Sequence, residues 1–417
     1  MSSVFDACVI GAGPYGLSIA AHLNAAGRTV RVLGIPMSAW RFSVPAGMTL
    51  KSAGFASSLD HPGAGMTIGQ YCASLGIPYA DNYHPIRAED FAAYGLAFQK
   101  QFVPQLEETR VTHLSKDAGL FTVVLENGES LQARKMILAT GTSYYAHIPS
   151  ELAVLPTDLV SHTCMHHSFA KFQGKELAVI GGGSSAVDVA ASIYEAGVKV
   201  ELFSRREIEF DEYPTPNISL LTSILTGPDT ALGPGWQANV LAHAPWLFRY
   251  LPDDLRLWIV KKKLGPAAGC YARDSAIGRV PMHVGMRLES ATESHGRLLL
   301  CFKDSADVRH NVTVDHLICG TGYVVDISKL AFLDAKLIGT IQTLQGSPRL
   351  TANFESTVSG LYFSGLASAV TFGPILRFIG GVGFAARTIA RHLVSELNHD
   401  SSRSASKHQV SVVSCAD

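Results

Sequence analysis

Two stretches of the chain repeat one pattern of apolar and polar positions. Residues 7–34 and 177–204 each begin with an apolar strand, pass through a glycine turn and an alanine-rich helix, and end in a second strand rich in β-branched residues. The first glycine and the end of the second strand are equally far apart in the two copies. A glycine turn between a strand and a helix is the fingerprint of a dinucleotide-binding unit, and two turns in the correct context are more specific than one. The repeat therefore predicts two nucleotide-binding units.

A similar order of elements follows each copy. Residues 111–142 predict short strands joined by a turn at Asn127 and Gly128, and they close with an apolar strand that ends in Thr-Gly. Residues 298–323 predict a strand pair that closes in the same way. The other predicted elements are a helix at 90–102, a strand within 360–369 and a helical stretch at 374–397.

This order predicts an α/β fold with two Rossmann-like dinucleotide-binding domains, the second inserted into the first. We assign residues 1–155 and 315–398 to the first domain and 156–314 to the inserted domain, and we expect a serine-rich, disordered tail at 399–417. Residues 209–275 form a long connection inside the inserted domain, and such connections tend to be functional. We interpret them either as a lid or wall of the substrate access path, or as a surface excursion without a role in chemistry.

Composition and cysteine spacing narrow the class of protein. The 417 residues are 47% hydrophobic and 17% charged, with a formal net charge of −1 at pH 7, which favours a globular fold and gives no support for nucleic acid or an anionic membrane as partner. No apolar run is long enough to span a bilayer, so we expect no transmembrane segment. None of the seven cysteines forms a CxxC or CxxxxC pair, which argues against a disulfide framework or a dithiol redox centre and for a cytoplasmic location.

The residues after the second strand of each copy distinguish the two sites. An acidic residue normally closes this strand and binds a ribose hydroxyl of the dinucleotide. The second copy instead continues with Arg205 and Arg206, whose guanidinium groups suit the 2′-phosphate of NADPH; a solvated arginine pair is the alternative. The first copy has Gly34 at this point, which is compatible with FAD. Trp40 or Arg41 would then hold the adenosine.

Together these segments resemble the NADPH-dependent, single-component flavoprotein monooxygenases that are built from two Rossmann-like domains. The resemblance covers the chain up to about residue 398 and rests on the sequences GAGPYG, ATGT, GGGSSA, SRR, GTGY and GLYFSGLA. Within this class, residues 38–79 are similar to the amine N-hydroxylases. Residues 320–334 and 372–393 are similar to a bacterial branch labelled FAD-dependent urate hydroxylase-like.

Two departures limit what the resemblance implies. Only Ser161, His162 and Thr163 remain of the Baeyer–Villiger signature, so that chemistry is disfavoured. Ser185 stands where the N-hydroxylases usually have glutamine, which weakens the transfer of ornithine or lysine as substrate.

The resemblance implies FAD in the first domain and NADPH in the inserted domain, with contacts from the glycine turns, from two Thr-Gly segments at the hinges between the domains, and from a late glycine segment. The expected contact residues are Gly11, Gly13, Pro14, Tyr15, Gly16, Trp40, Arg41, Thr140, Gly141, Thr321, Gly322, Tyr323, Gly365 and Leu366, and for NADPH Gly181, Gly183, Ser184, Ser185, Arg205 and Arg206.

The implied reaction is hydroxylation of a small substrate by O2 through a flavin C4a-hydroperoxide, at nitrogen or at an electron-rich heterocycle carbon. Lys51 lies in the segment expected to face the flavin and is the candidate catalytic contact, to a substrate carboxylate, the flavin or the nicotinamide; a surface lysine is the alternative. Weaker candidates are His61, Arg87 and Arg377. We expect no metal site, because His162, His166 and His167 lie in a connector without nearby carboxylates.

Two other functions remain open on the residues alone. One is an NADPH-dependent flavin oxidoreductase or oxidase that transfers electrons without oxygenation. The other is a redox sensor or scaffold that binds FAD without turnover, which the two arginines of the second copy disfavour.

Overall fold

Two β-sheets, each with parallel strands around one sequence repeat, organise the chain. The computed structural model describes residues 4–63, 65–82, 84–210, 227–262 and 268–413.

The first sheet is built around the first repeat. Its strand order is β2-β1-β5-β4-β3, with β1 parallel to both β2 and β5 and with β3, β4 and β5 antiparallel to one another. Its long strand β5 therefore joins the parallel and antiparallel parts, as the pattern of residues 111–142 predicts. The elements in this part of the chain are β1 Val4–Ile10, α1 Pro14–Ala25, β2 Val30–Leu33, α2 Ser38–Phe42, α3 Ile68–Leu75, α4 Ala88–Phe102, β3 Val111–Asp117, β4 Leu120–Leu125 and β5 Ser130–Leu138.

The second sheet is built around the second repeat and has the parallel order β6-β13-β7-β8-β9, with a separate antiparallel sheet β10-β11-β12 beside it. Its elements are α5 Ser150–Ala153, β6 Val160–His162, β7 Glu176–Ile180, α6 Ser184–Glu195, β8 Lys199–Phe203, α7 Trp236–His243, α8 Pro245–Phe248, α9 Asp253–Lys262, α10 Cys270–Ala276, β9 Met282–His283, β10 Arg287–Ser294, β11 Arg297–Lys303, β12 Arg309–Val314 and β13 His316–Cys319.

Strand β13 differs from the domain boundary expected from sequence. We assigned residues from 315 onward to the first domain, but all four residues of β13 are buried between β6 and β7 in the second sheet. Burial on both faces is typical of strands inside a parallel sheet. The second sheet therefore extends to Cys319, and the chain returns to the first domain after it.

The C-terminal part of the chain completes the first domain. Strand β16 pairs in parallel with β5, and α13 packs against α1. We expected disorder from residue 399, but α13 continues to Val413, since neither glycine nor proline interrupts the chain after Gly383; residues 414–417 of the expected tail lie outside the described residues. The elements of this part are α11 Ala335–Thr340, β14 Thr343–Leu344, β15 Ser347–Pro348, β16 Leu361–Phe363, α12 Ala369–Phe372 and α13 Val382–Val413.

Helices α8 and α9 of the long connection pack on the first domain. Residues 211–226 and 263–267 of this connection lie outside the described residues. The Phe248 ring covers Gly373, where a Cβ atom would lie 3.1 Å from the ring. Arg256 donates a hydrogen bond to the Val370 carbonyl oxygen at 3.1 Å. Helices α8 and α9 of the inserted domain therefore cover α12 of the first domain, and the role of the connection as a lid stays a prediction.

No helix within the described ranges combines the length and the apolar character that a bilayer-spanning segment needs.

Candidate functional site

The first glycine turn joins β1 to α1 and is packed too tightly for side chains at two positions. Gly11 has a φ of +113°, and a Cβ atom there would lie 2.1 Å from the Ala139 carbonyl oxygen at the end of β5. A Cβ atom on Gly16 would lie 1.8 Å from the Gly11 carbonyl oxygen. These glycines bring the helix start close to the ends of β1 and β5, as the fingerprint requires.

Gly13 has a different environment from its neighbours. A Cβ atom there would meet no other atom within 4 Å, so the position faces open space. Gly13 is the N-cap of α1, and no side chain caps the helix. The first backbone N–H groups of an α-helix have no partner within the helix and favour an anion. The turn therefore fits the diphosphate of a dinucleotide.

The second glycine turn repeats this geometry between β7 and α6. Gly181 has a φ of +138°, and a Cβ atom there would lie 2.3 Å from the Gly320 carbonyl oxygen at the end of β13. Gly183 is the N-cap of α6 and, like Gly13, has no side-chain cap above it. The second turn therefore also fits a diphosphate, with Ser184 and Ser185 in the first turn of the helix.

Ser204 holds the arginine pair beside the second glycine turn. Its Oγ atom donates to the Arg206 carbonyl oxygen at 2.7 Å and accepts from the Arg206 N–H at 3.3 Å. A Cβ atom on Gly182 would lie 2.4 Å from the same Oγ atom. Ser204 is buried, whereas Arg205 and Arg206 are exposed. The backbone of the arginine pair is therefore fixed next to the turn, and its two side chains extend from the place where a 2′-phosphate would be bound.

The residues near Gly34 have local partners. The Gly34 N–H donates to the Glu107 carbonyl oxygen at 3.0 Å. The Trp40 ring packs edge-to-face on Phe91 with centroids 4.8 Å apart. Arg41 donates to the Pro36 carbonyl oxygen at 3.1 Å. Trp40 and Arg41 thus lie close after β2, and their contact with an adenosine stays a prediction.

Two connections between the domains lie side by side. The first begins with Thr140 and Gly141 after β5, and the second with Thr321 and Gly322 after β13. The His147 N–H donates to the Gly322 carbonyl oxygen at 3.0 Å, and the Thr321 hydroxyl donates to the His147 carbonyl oxygen. The second Thr-Gly segment is therefore hydrogen-bonded to the first connection at His147.

Tyr323 and His162 meet at this double connection. Their rings pack edge-to-face with centroids 5.1 Å apart, and His162 Nε2 donates to the Gly322 carbonyl oxygen at 3.0 Å. Burial lowers the pKa of His162 and raises that of Tyr323, so both side chains are neutral.

Lys51 forms an ion pair across the domain interface. Its Nζ atom lies 2.7 Å from Oδ1 of Asp188 in α6, and Asp188 Oδ2 accepts a hydrogen bond from Ser184 Oγ at 3.2 Å. Burial raises the pKa of Asp188, and the Lys51 ammonium opposes this effect. Sequence reasoning missed Asp188, although a single carboxylate in the apolar helix sequence SSAVDVAASI is a signal that could have found it.

The three weaker candidates have structural partners. His61 stacks on Phe102 with ring centroids 4.0 Å apart, and Arg87 pairs with Glu89 at 3.5 Å. Arg377 donates to the Val260 carbonyl oxygen in α9 at 3.0 Å, and burial lowers the pKa of its guanidinium.

The three connector histidines have separate partners. His166 Nε2 lies 2.6 Å from Ser161 Oγ, which lies 2.7 Å from His316 Nε2, and His167 Nδ1 donates to the Val44 carbonyl oxygen at 2.6 Å. Within the described ranges, no group of three histidine, cysteine, aspartate or glutamate side chains is placed to hold a metal ion.

Two glycine turns with uncapped helix N-termini, each between parallel strands of its own sheet and with one domain inserted into the other, define an oxidoreductase fold with two dinucleotide-binding domains. The chain belongs to the pyridine nucleotide-disulphide oxidoreductase family, whose model matches residues 8–226. Membership concerns the nucleotide-binding fold; the sequence contains no CxxC pair.

Two curated relatives are similar to about half of the chain. A ferredoxin–NADP reductase of Leuconostoc citreum is 27% identical over 207 residues, which is 49% of this chain and 53% of that protein. The indole-3-pyruvate monooxygenase YUCCA1 of Oryza sativa subsp. japonica is 27% identical over 212 residues, 48% of each chain. The chain thus matches about half the length of these curated relatives.

A solved structure resembles nearly the whole chain. The ornithine N-hydroxylase of Kutzneria sp. 744, determined with reduced FAD, NADP+ and L-ornithine, has a TM-score of 0.75 at 15% identity and covers 94% of this chain and 100% of that one. At this identity the likeness concerns the fold, and it extends beyond the two nucleotide units to the connections between them.

Proposed function

We propose that this protein is an FAD- and NADPH-dependent monooxygenase that hydroxylates a small substrate with O2. The observation that carries the proposal is the pair of uncapped helix N-termini at Gly13 and Gly183, of which only the second lies beside an arginine pair. A 2′-phosphate distinguishes NADPH from FAD, so this difference assigns FAD to the first domain and NADPH to the inserted one.

The residues of each turn have a defined part in binding. The N–H groups after Gly13 bind the FAD diphosphate, and those after Gly183 bind the NADPH diphosphate. Arg205 and Arg206 bind the 2′-phosphate through charge-assisted hydrogen bonds. Tyr15 keeps the segment before α13 next to the first turn, since its hydroxyl donates to the Leu376 and Phe378 carbonyl oxygens. Gly365 and Leu366 belong to the late glycine segment that would contact FAD.

Bound NADPH supplies hydride, and bound FAD supplies the chemistry that activates O2. The protein must then exclude water and orient the substrate. Helices α8 and α9 fit this requirement, because they cover α12 of the first domain through Phe248 and Arg256. We therefore assign the connection that carries them to the wall of the substrate path.

Two features favour oxygenation over electron transfer to a protein partner. The fold matches an ornithine N-hydroxylase with a TM-score of 0.75 over 94% of the chain, against 0.62 over 95% for the bacillithiol disulfide reductase of Staphylococcus aureus. Cys8, Cys72, Cys164, Cys301 and Cys319 are free, and the sequence has no CxxC pair that could pass electrons to a disulfide. The substrate is a small molecule, and diamines, ornithine, purines and sulfides are the first candidates.

The cytoplasmic location expected from the sequence stays a prediction.

The test uses the purified, FAD-loaded protein. NADPH should bleach the flavin absorbance without O2, and one member of the candidate panel should stimulate NADPH oxidation in air and yield a product one oxygen atom heavier. If no member of the panel is oxygenated and every NADPH oxidised yields one hydrogen peroxide, the protein is an oxidase or reductase. If NADPH does not bleach the flavin, the chain is a sensor or scaffold.

A further inference from the structure

An ion pair lies between the two domains, beneath the proposed NADPH diphosphate site. Lys51 and Asp188 are 137 positions apart in sequence, and their charged atoms are 2.7 Å apart. The Asp188 side chain is 8% exposed and that of Lys51 is 29% exposed. An ion pair with one buried partner is screened little by solvent, so loss of the cation would leave a poorly solvated carboxylate.

Contacts in both domains fix the position of Lys51. The residue before Lys51 is fixed, because Leu50 is buried and its N–H donates to the Ile86 carbonyl oxygen at 2.8 Å. On the other side, the Lys51 stem passes over Gly269, where a Cβ atom would lie 2.9 Å from Lys51 Cδ. The missing side chain at Gly269 therefore leaves the space through which the ammonium reaches Asp188.

The second carboxylate oxygen of Asp188 links the pair to the nucleotide turn. It accepts a hydrogen bond from Ser184 Oγ at 3.2 Å, and Ser184 is the first residue of α6 after the uncapped Gly183. Asp188 therefore lies one helical turn below the backbone N–H groups that would bind a diphosphate. An unneutralised carboxylate here would repel that diphosphate.

We propose that Lys51 and Asp188 are positioning residues: the Lys51 ammonium neutralises the carboxylate below the NADP(H) diphosphate site, and that carboxylate fixes the Ser184 hydroxyl at the start of α6 by accepting its hydrogen bond. The proposal rests on the proposed function, because it assigns the pair to the NADP(H) site of that enzyme. Lys51 then acts through Asp188 and does not contact the substrate or the flavin.

The test compares K51M, D188N and the double variant K51M/D188N as FAD-loaded proteins. Calorimetry gives the dissociation constant for NADP+, and absorbance gives the FAD content. K51M should bind NADP+ about tenfold more weakly, because the buried carboxylate loses its partner. D188N should stay within about threefold of the wild type, and the double variant should match D188N, since the charge that repels the diphosphate is gone. FAD content should be unchanged in all three.

Lys199→Met is the matched control, because Lys199 forms an exposed ion pair with Glu176 at the opposite end of β8. It should bind NADP+ like the wild type. Unchanged affinity in K51M, or a double variant as weak as K51M, overturns the proposal; the second result would mean that Lys51 itself contacts the cofactor. If K51M does not fold, the comparison of D188N with the double variant decides. A double variant that binds NADP+ more weakly than D188N would overturn the proposal, because Lys51 would then act without Asp188. A wild-type protein that binds no NADP+ refutes the proposed function before any variant is compared.

Discussion

The Tyr15 hydroxyl donates a hydrogen bond to the Phe378 carbonyl oxygen, 2.8 Å away and 363 residues later in the chain. The Leu376 carbonyl oxygen lies 3.0 Å from the same hydroxyl, and the Tyr15 ring packs on Gly365. Burial raises the pKa of Tyr15, so the hydroxyl keeps its proton and remains a donor. One side chain therefore connects the first glycine turn to the segment before α13.

Tyr15→Phe should loosen this connection. It removes the donor to the Leu376 and Phe378 carbonyl oxygens, which should lower the free energy of unfolding of the FAD-free protein by about 1–2 kcal/mol. FAD retention on gel filtration should fall as well. The control is Tyr144→Phe, whose side chain is 46% exposed, and it should change neither quantity. Equal unfolding curves for the wild type and Tyr15→Phe would contradict the role of the hydroxyl.

Alanine substitutions should separate the two kinds of glycine in the first turn. Gly16→Ala should lower the melting temperature of the FAD-free protein, because its Cβ atom would lie 1.8 Å from the Gly11 carbonyl oxygen. Gly13→Ala should fold normally, since its Cβ atom meets nothing within 4 Å, but should lose FAD because that atom fills space the diphosphate needs. Melting curves and flavin content measure the two effects. Full FAD content in Gly13→Ala would place the diphosphate elsewhere.

Local and distant features differ in how far the sequence predicts them. Gly11 and Gly181 were predictable because a tight turn between a strand and a helix imposes its own steric rule on a few adjacent residues. Strand β13 was assigned to the wrong domain, because its apolar sequence indicates a buried strand but does not indicate which of the two sheets the strand joins. The Lys51–Asp188 pair was not predictable, since it depends on how two domains pack.

Arg205→Ala combined with Arg206→Ala should separate the two nicotinamide cofactors. Loss of charge-assisted hydrogen bonds to a 2′-phosphate should raise the KM for NADPH by roughly 10- to 100-fold, while the KM for NADH changes little. Steady-state oxidation of both cofactors measures this. Arg287→Ala, an exposed arginine in β10 of the same domain, is the control and should alter neither value. Equal effects on NADPH and NADH would refute the assignment of the pair to the phosphate.

His166 should make stability depend on pH. His316 Nδ1 donates to the Asp158 carbonyl oxygen at 2.8 Å, so its Nε2 accepts from Ser161, and Ser161 Oγ accepts from His166 Nε2. His166 Nδ1 then has no partner within the described residues, and burial lowers the pKa of His166 from 6.5 to about 4. As pH falls below 6.5, the unfolded chain therefore takes up the proton first, and stability is lost toward pH 4.

The expected loss from His166 is about 2 kcal/mol between pH 7.5 and pH 5. His166→Gln keeps a donor for Ser161 but does not titrate, so its unfolding free energy should fall less over this interval. Urea unfolding at several pH values measures the difference. His84→Gln, an exposed histidine, should keep the wild-type slope. A wild-type slope in His166→Gln would show that other groups cause the pH dependence.

Phe248→Ala should reveal whether α8 and α9 keep water from the reaction. Phe248 is 2% exposed and covers Gly373, so its loss opens a cavity between the long connection and the first domain. Water that enters there should divert electrons from product to hydrogen peroxide, and the peroxide formed per NADPH should rise while NADPH affinity stays unchanged. Leu247→Ala, whose side chain is 49% exposed on the same helix, is the matched control and should keep the wild-type ratio. If Phe248→Ala loses stability but keeps the ratio of product to peroxide, the connection is a surface excursion and not part of the substrate path.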